Sequence, residues 1–257
     1  MSTWPQVAAI AQRAIVRTAR QPASFIPPLI FPVALLAVNA GGLRASTSLP
    51  GFPTESFLAF ALAVPFIQGA LFSTMNAGTD LARDIQTGFM NRLSLTALRE
   101  WPLLFGQLGG VVVLGMVQVV FYIAVGLTAG VRFESGIAGI VVLLLYGALI
   151  ALSFGALGAW LAYRTGSGET IQGLFPVLFV FLFISSMNAP RNLIGVDWFR
   201  IAATLNPVSY MIEAVRSLII TGWDWQALGL GFGFVIVLGL LFLALAARAQ
   251  RERLTRT

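Results

Sequence analysis

The chain has 257 residues, 58% of them hydrophobic and only 10% charged. Soluble domains carry about a quarter charged residues, so with a mean hydropathy of +0.86 most of this sequence is built for lipid. All 16 basic residues are Arg, and Lys, His and Cys are absent. That excludes a P-loop with its phosphate-binding Lys and removes the usual ligands of zinc, haem, iron–sulfur and thiol chemistry.

The first 20 residues place Trp4, Val7, Ala8, Ala11 and Ile15 on one helical face and Arg13, Arg17 and Arg20 opposite. This pattern predicts an interfacial helix over 1–20, with its apolar side in the acyl boundary and its guanidinium groups toward lipid phosphates. Six charge-free runs follow: Gln21 to Leu43, Ser56 to Thr79, Pro102 to Val131, Ser135 to Tyr163, Thr170 to Pro190 and Trp225 to Ala247. Each is near or above the roughly 20 residues that a spanning helix requires. The expected fold is an all-α integral membrane protein, a single domain of six transmembrane helices over 1–257. Val38-Asn39-Ala40 resembles a signal cleavage site, but three prolines in that run and the long basic lead before it count against a signal peptide.

Between the second and third runs, Asp80 to Trp101 holds Asp80, Arg83, Asp84, Arg92, Arg99 and Glu100, which must lie in water while their neighbours lie in lipid. Here a membrane protein can grip a soluble one. Six spans put both termini on one side, and that side collects eleven Arg residues, including those of the 248–257 tail, against five on the other. The termini and the 80–101 segment are therefore expected in the cytoplasm. The net charge of +6 and pI near 11.0 describe topology and attraction to anionic lipid rather than nucleic-acid binding.

The spans differ in texture. Gly147, Ala151, Gly155 and Ala159 recur at every fourth position of the fourth span, and Gly106, Gly110 and Gly115 mark the third, a pattern of close helix packing. The fifth span is bulky and aromatic, and its Phe residues face lipid, a partner protomer or a substrate path. Gln68, Asn76, Gln118, Tyr122 and Tyr146 are expected to hydrogen-bond between helices. No Asp, Glu or Arg lies within a span, although one would cost only about 2.5–3.5 kcal/mol on insertion scales. Their absence argues against a proton-coupled carrier or a charge-selective channel.

A long connector over 189–223 precedes the sixth span. Asn206 suits an N-cap, Pro207 the first helical position and Thr221-Gly222 a stop, so Val208 to Ile220 is expected to be helical. Met211, Ile212, Val215, Leu218 and Ile219 share one face, with Glu213 and Arg216 opposite and at pairing distance in sequence. So apolar a helix favours a re-entrant hairpin in the outer leaflet over a plain interfacial helix. Trp198, Tyr210, Trp223 and Trp225 would then sit at headgroup level.

This order of parts resembles the permease subunit of type 2 ABC exporters, above all the daunorubicin-resistance-like branch, over nearly the whole chain. Two patterns carry the resemblance: RDIQTGFMNRLSLT, with Arg83-Asp84, Gly88, Leu93 and Thr96, and LNPVSYMIEAVRSL from Leu205 to Leu218. Ala97 stands where the family usually has Pro, and Gly106-Gln107 where it often has Gly-Lys. The resemblance implies a permease dimer above two separate ATPase subunits that carry the ATP and magnesium, with no cofactor on this chain. It implies ATPase coupling through Asp84, Gly88, Phe89, Arg92 and Leu93, and an outer gate formed by Asn206, Pro207, Tyr210, Glu213 and Arg216. The expected function is export of a hydrophobic or amphipathic drug or lipid across the bacterial inner membrane. Export of a lipid-linked glycan, or service as a non-transport scaffold, are the alternatives.

Overall fold

The computed structural model describes residues 8, 9, 11–13, 16, 20, 22–89 and 100–254. Among these the chain is helical throughout its ordered elements and contains no strand. In chain order the helices are α1 (Pro22–Gly42), α2 (Phe57–Ala61), α3 (Ala63–Gln86), α4 (Glu100–Thr128), α5 (Gly136–Thr165), α6 (Gly168–Gly173), α7 (Phe175–Phe183), α8 (Asp197–Leu205), α9 (Pro207–Arg216) and α10 (Trp225–Leu254).

Among the described residues, four helices are long and apolar enough to cross a bilayer: Phe57–Gln86, Pro102–Thr128, Gly136–Thr165 and Trp225–Arg253. At the first and fifth apolar runs the helices are shorter, Ile26–Gly42 and Gly168–Phe183. Proline chemistry marks three departures from regularity. Pro65 cannot donate to Ala61 and Pro176 cannot donate to Gln172, and these are the places where α2 gives way to α3 and α6 to α7. Pro32 likewise leaves the Pro28 carbonyl without its helical donor. Tyr122 of α4 fills the gap, its hydroxyl donating to Pro28 O at 2.6 Å.

Helix α3 is the axis of the bundle, in contact with α1, α4, α5, α6 and α9, while α10 packs on α5 and α9. Small residues set these approaches. Gly115 abuts Ala151, Gly147 abuts Val119 and Gly155 abuts Val111, so the expected small-residue stripe of the fourth span packs on the third, where Gly115 makes the close approach. A second seam escaped the sequence pattern: at Gly158 a methyl would run into the Thr74 carbonyl of α3. Polar groups lock the same contacts, Thr74 Oγ1 donating to Phe154 O at 2.9 Å and Ser153 Oγ to Val235 O at 3.0 Å. The Gln68 amide and the Tyr146 hydroxyl, expected to bond between helices, are instead buried with no hydrogen-bond partner among the described residues.

The aromatic fifth run divides its side chains. Phe175 and Phe179 join Phe72 and the exposed Phe31 in a partly buried cluster of edge-to-face and tilted rings. Val177, Val180 and Phe181 stay exposed on the opposite face, and Phe183, in contact with Phe179, is half exposed at the end of the helix.

Candidate functional site

Polar chemistry gathers at the two ends of this bundle. At one end α3 stops on Gly88, whose φ of +67° lies in the left-handed region that glycine tolerates best. Thr87 N bonds to Arg83 O and Gly88 N to Ile85 O, which satisfies last-turn carbonyls and turns the chain back on itself. The turn brings Phe89 beside Asp84. Arg13, from the N-terminal segment, then closes on both: its two Nη atoms each donate to an Asp84 oxygen at 3.1 Å, and its guanidinium lies 3.8 Å from the Phe89 ring centre.

This geometry revises the expectation that Arg13 faces lipid phosphate. Residues 8, 9, 11–13 and 16 are helical as anticipated, but Arg13 is held by the carboxylate of the 80–101 segment. Asp84 is 7% exposed. The remaining positions of the expected coupling segment, Arg92 and Leu93, lie outside the described residues, as do Trp4, Val7, Ile15 and Arg17. The same end collects the last turns of α5 and α10. Gln86 Nε2 donates to Gly166 O, Arg164 and Arg248 both bind Glu252, and Arg253 Nη1 donates to Tyr163 O. The N-terminal segment and the end of α10 thus share one side of the bundle.

The opposite end is built where α7 stops short. An unwound stretch follows Phe183, and backbone buried at such depth needs donors from the protein itself. Asn206 supplies two of them. Its Oδ1 accepts from Val208 N at 3.0 Å and so caps α9, which starts with Pro207, while its Nδ2 donates to Phe181 O and Ile184 O at 2.5 and 2.6 Å. Ser209 Oγ accepts from Ser186 N at 3.1 Å.

Arg216 completes the junction. It is 5% exposed, and its Nε donates to Phe60 O at 3.1 Å while Nη2 donates to Ser186 O and Met187 O at 3.0 and 3.2 Å. Its guanidinium stacks 3.5 Å from the centre of the Phe60 ring. The side chain pointing away from the apolar face of α9 is therefore buried rather than solvated, because a second layer of protein covers it.

Glu213 does not pair with Arg216, as their spacing had led us to expect. Its two carboxylate oxygens take Nε and Nη2 of Arg191 at 2.8 and 2.7 Å, and Arg191 lies 4.4 Å from the Tyr210 ring centre. Tyr210 donates in turn to Thr204 O and stacks on Phe234. Four of the five expected gate residues, Asn206, Tyr210, Glu213 and Arg216, thus join α7, α8, α9, α10 and the 191–193 turn; Pro207 starts the helix that carries them. Arg191, Phe60 and Ser186 belong to the same assembly but were not singled out from sequence. Their partners are 22 to 156 positions away, beyond any local pattern.

Beyond Arg216 the helix widens into a π-turn over Ser217–Thr221, closed by Gly222 at φ +86°. There Ser135 Oγ donates to Leu218 O at 2.6 Å and Glu134 N to Ile219 O at 3.1 Å, which fastens the connector to the loop before α5. Phe60 and Asp84 stand 24 positions apart along nearly continuous helix, so the two polar ends are separated by roughly 36 Å. That exceeds the hydrocarbon thickness of about 30 Å.

Comparison with known proteins agrees with this anatomy. Residues 5–220 match the ABC-2 type transporter family. The chain is 28% identical over 224 residues to the transport permease ycf38 of Porphyra purpurea, covering 86% of this chain and 75% of that one. To the daunorubicin resistance ABC transporter permease protein DrrB1 of Streptomyces coeruleorubidus it is 28% identical over 198 residues, 75% of this chain and 65% of that protein. The ycf38 permease of Pyropia yezoensis is 29% identical over 220 residues, 83% and 73% of the two chains. With two polar ends a membrane's thickness apart and a family match over most of its length, the chain is a multi-pass membrane permease of the ABC-2 type transporter family.

Proposed function

We propose that this chain is the membrane-spanning subunit of an ATP-driven exporter that moves a hydrophobic or amphipathic molecule, a drug or a lipid, out across a bacterial inner membrane. ABC-2 permeases work with ATPase subunits, and a sequence with no Lys offers no P-loop of its own. ATP and magnesium then belong to a separate ATPase. In this reading the Arg13–Asp84–Phe89 end is cytoplasmic, with both termini, and the segment from Asp84 through Leu93 is the coupling helix. Two copies pair about a two-fold axis, each with six crossings.

The observation that carries the proposal is the unequal construction of the two ends. At the coupling end an aromatic side chain, Phe89, stands on a turn enforced by Gly88 and braced by an ion pair. At the other end α7 halts early, and α8 with α9 fills the remaining depth, each half-turn tied by Asn206 or Arg216 to backbone that would otherwise be unsatisfied. A re-entrant hairpin is the economical reading of that arrangement. Such a junction holds a closed outer gate through few, specific bonds, and breaking them releases α9. DrrB1, a permease named for daunorubicin resistance, supports an amphipathic drug as cargo.

The test is reconstitution of the permease with its copurifying ATPase in proteoliposomes, using a fluorescent amphipathic anthracycline. ATP-dependent movement away from the ATPase face is expected. ATP-dependent accumulation on the ATPase face, or none with any amphipathic cargo, refutes the exporter.

A further inference from the structure

A cavity of about 400 Å³ opens beside the α9 junction, lined among others by Phe60, Arg191, Glu213, Arg216, Asp224 and Ala227. Its size falls in the range of small-ligand sites. The charges around it are not equivalent. Arg191 and Glu213 neutralise each other through two hydrogen bonds. Asp224 stands on the exposed rim, and its Oδ1 already accepts from Gln226 N and Ala227 N at the start of α10.

Arg216 differs from both. Carbonyl oxygens satisfy its Nε and Nη2, and a ring face shields the guanidinium, but those groups carry dipoles and no formal charge. No carboxylate among the described residues lies within ion-pair reach of it, and no bond from them reaches Nη1. Glu213 acts on it through space but is already held by Arg191, and a buried guanidinium left with only a shared counter-anion is costly. This one borders a cavity wide enough for an anionic group, and a guanidinium binds phosphate or carboxylate with favourable planar geometry.

We propose that this cavity is a binding site for an anionic oxyacid group, phosphate or carboxylate, carried by an amphipathic molecule, with Arg216 as its cation and the Arg191–Glu213 pair as a fixed wall. The site does not depend on the direction of transport or on an ATPase, so binding can be measured on the permease alone.

Native mass spectrometry of the delipidated chain in neutral detergent, titrated with dioleoyl phosphatidylglycerol, dioleoylglycerol and inorganic phosphate, tests it. Ala227→Trp fills the cavity and leaves every Arg216 hydrogen bond in place; it is expected to weaken phosphatidylglycerol binding at the saturable site at least about tenfold, the equivalent of one charge-assisted contact. Asp224→Asn removes a like charge from the rim while an Asn still caps α10, and should strengthen binding by about threefold. A gain of affinity is an outcome that general damage to the fold does not produce. Competition by millimolar inorganic phosphate identifies a site for the free anion, and its absence one for the lipid-borne group; both uphold the proposal. Equal phosphatidylglycerol affinity in the wild type and Ala227→Trp, or dioleoylglycerol binding as tightly as phosphatidylglycerol, overturns it.

Discussion

Replacing Asn206 in turn by Ser, Ala and Asp separates two roles that one side chain fills. Its oxygen caps α9 and its amide nitrogen serves two carbonyls at the unwound end of α7. Losing a cap costs about 1 kcal/mol, and leaving a part-buried carbonyl such as either of these unsatisfied costs about 1–2 kcal/mol. Ser keeps the cap and forfeits both carbonyl bonds, for a loss of about 2–4 kcal/mol; Ala forfeits all three, about 3–5 kcal/mol. Asp is the discriminating variant. It caps as well as Asn, but aims a carboxylate oxygen at two carbonyl oxygens where the amide had donated, and should be less stable than Ala. At about 2–4 °C per kcal/mol for a chain of this size, Asn206→Ala should melt roughly 6–20 °C below wild type. The assay is thermal unfolding in detergent followed by tryptophan fluorescence, with Trp198, Trp223 and Trp225 as reporters on the same connector. If Asn206→Asp melts with the wild type, Asn206 is only a helix cap and the stitching of α7 to α9 is wrong.

Other consequences are equally direct. Arg191 and Glu213 are both largely shielded, so a double-mutant cycle of Arg191→Ala with Glu213→Ala should yield a coupling energy of about 1.5–3 kcal/mol. The same cycle between Glu213 and Arg216, which interact through space without a hydrogen bond, should yield a smaller coupling, and the reverse ranking in thermal stability would contradict the assignment. Arg13 is 43% exposed, so Arg13→Ala should cost only about 1 kcal/mol in stability while loosening Phe89; the exchange of Arg13→Asp with Asp84→Arg should restore part of any lost ATPase retention, and no restoration would argue against the brace. Phe89→Ala with Leu93→Ala should leave a folded permease that binds its ATPase roughly ten- to a hundredfold more weakly for each side chain truncated; unchanged copurification would move the grip elsewhere. Tyr122→Phe orphans the Pro28 carbonyl and should destabilise by about 1–3 kcal/mol, whereas a Tyr122→Phe variant with wild-type melting would mean that α1 draws little from this bond.

The two polar ends were legible in sequence to different degrees. Asp84, Gly88 and Phe89 lie within six positions, where the family resemblance singled them out, and the need for glycine at a left-handed stop is a local property of the sequence. The Asn206-Pro207 start of α9 was readable for the same reason, since cap and first-turn preferences act within three residues. The partners of these groups were not. Arg13 lies 71 positions from Asp84, and Glu213 chose Arg191, 22 positions away, over Arg216 three positions away. Helical spacing measures which side chains share a face, not which face a third helix will cover.

Hydropathy and Arg placement by themselves determined that this chain is a helical membrane protein, where its apolar runs fall and which loops must be wet, because the cost of burying charge in hydrocarbon is exacted residue by residue. The tertiary structure alone decided that α3 is the axis, that α7 ends early and that Arg216, placed by spacing opposite the apolar face of its helix, is the buried clasp of the junction. Those outcomes depend on how each helix is rotated about its own axis and how deep it sits. Both are fixed by glycine contacts such as Gly158 on Thr74 and by backbone groups that proline leaves without donors, and each of these finds its partner only once the helices have packed.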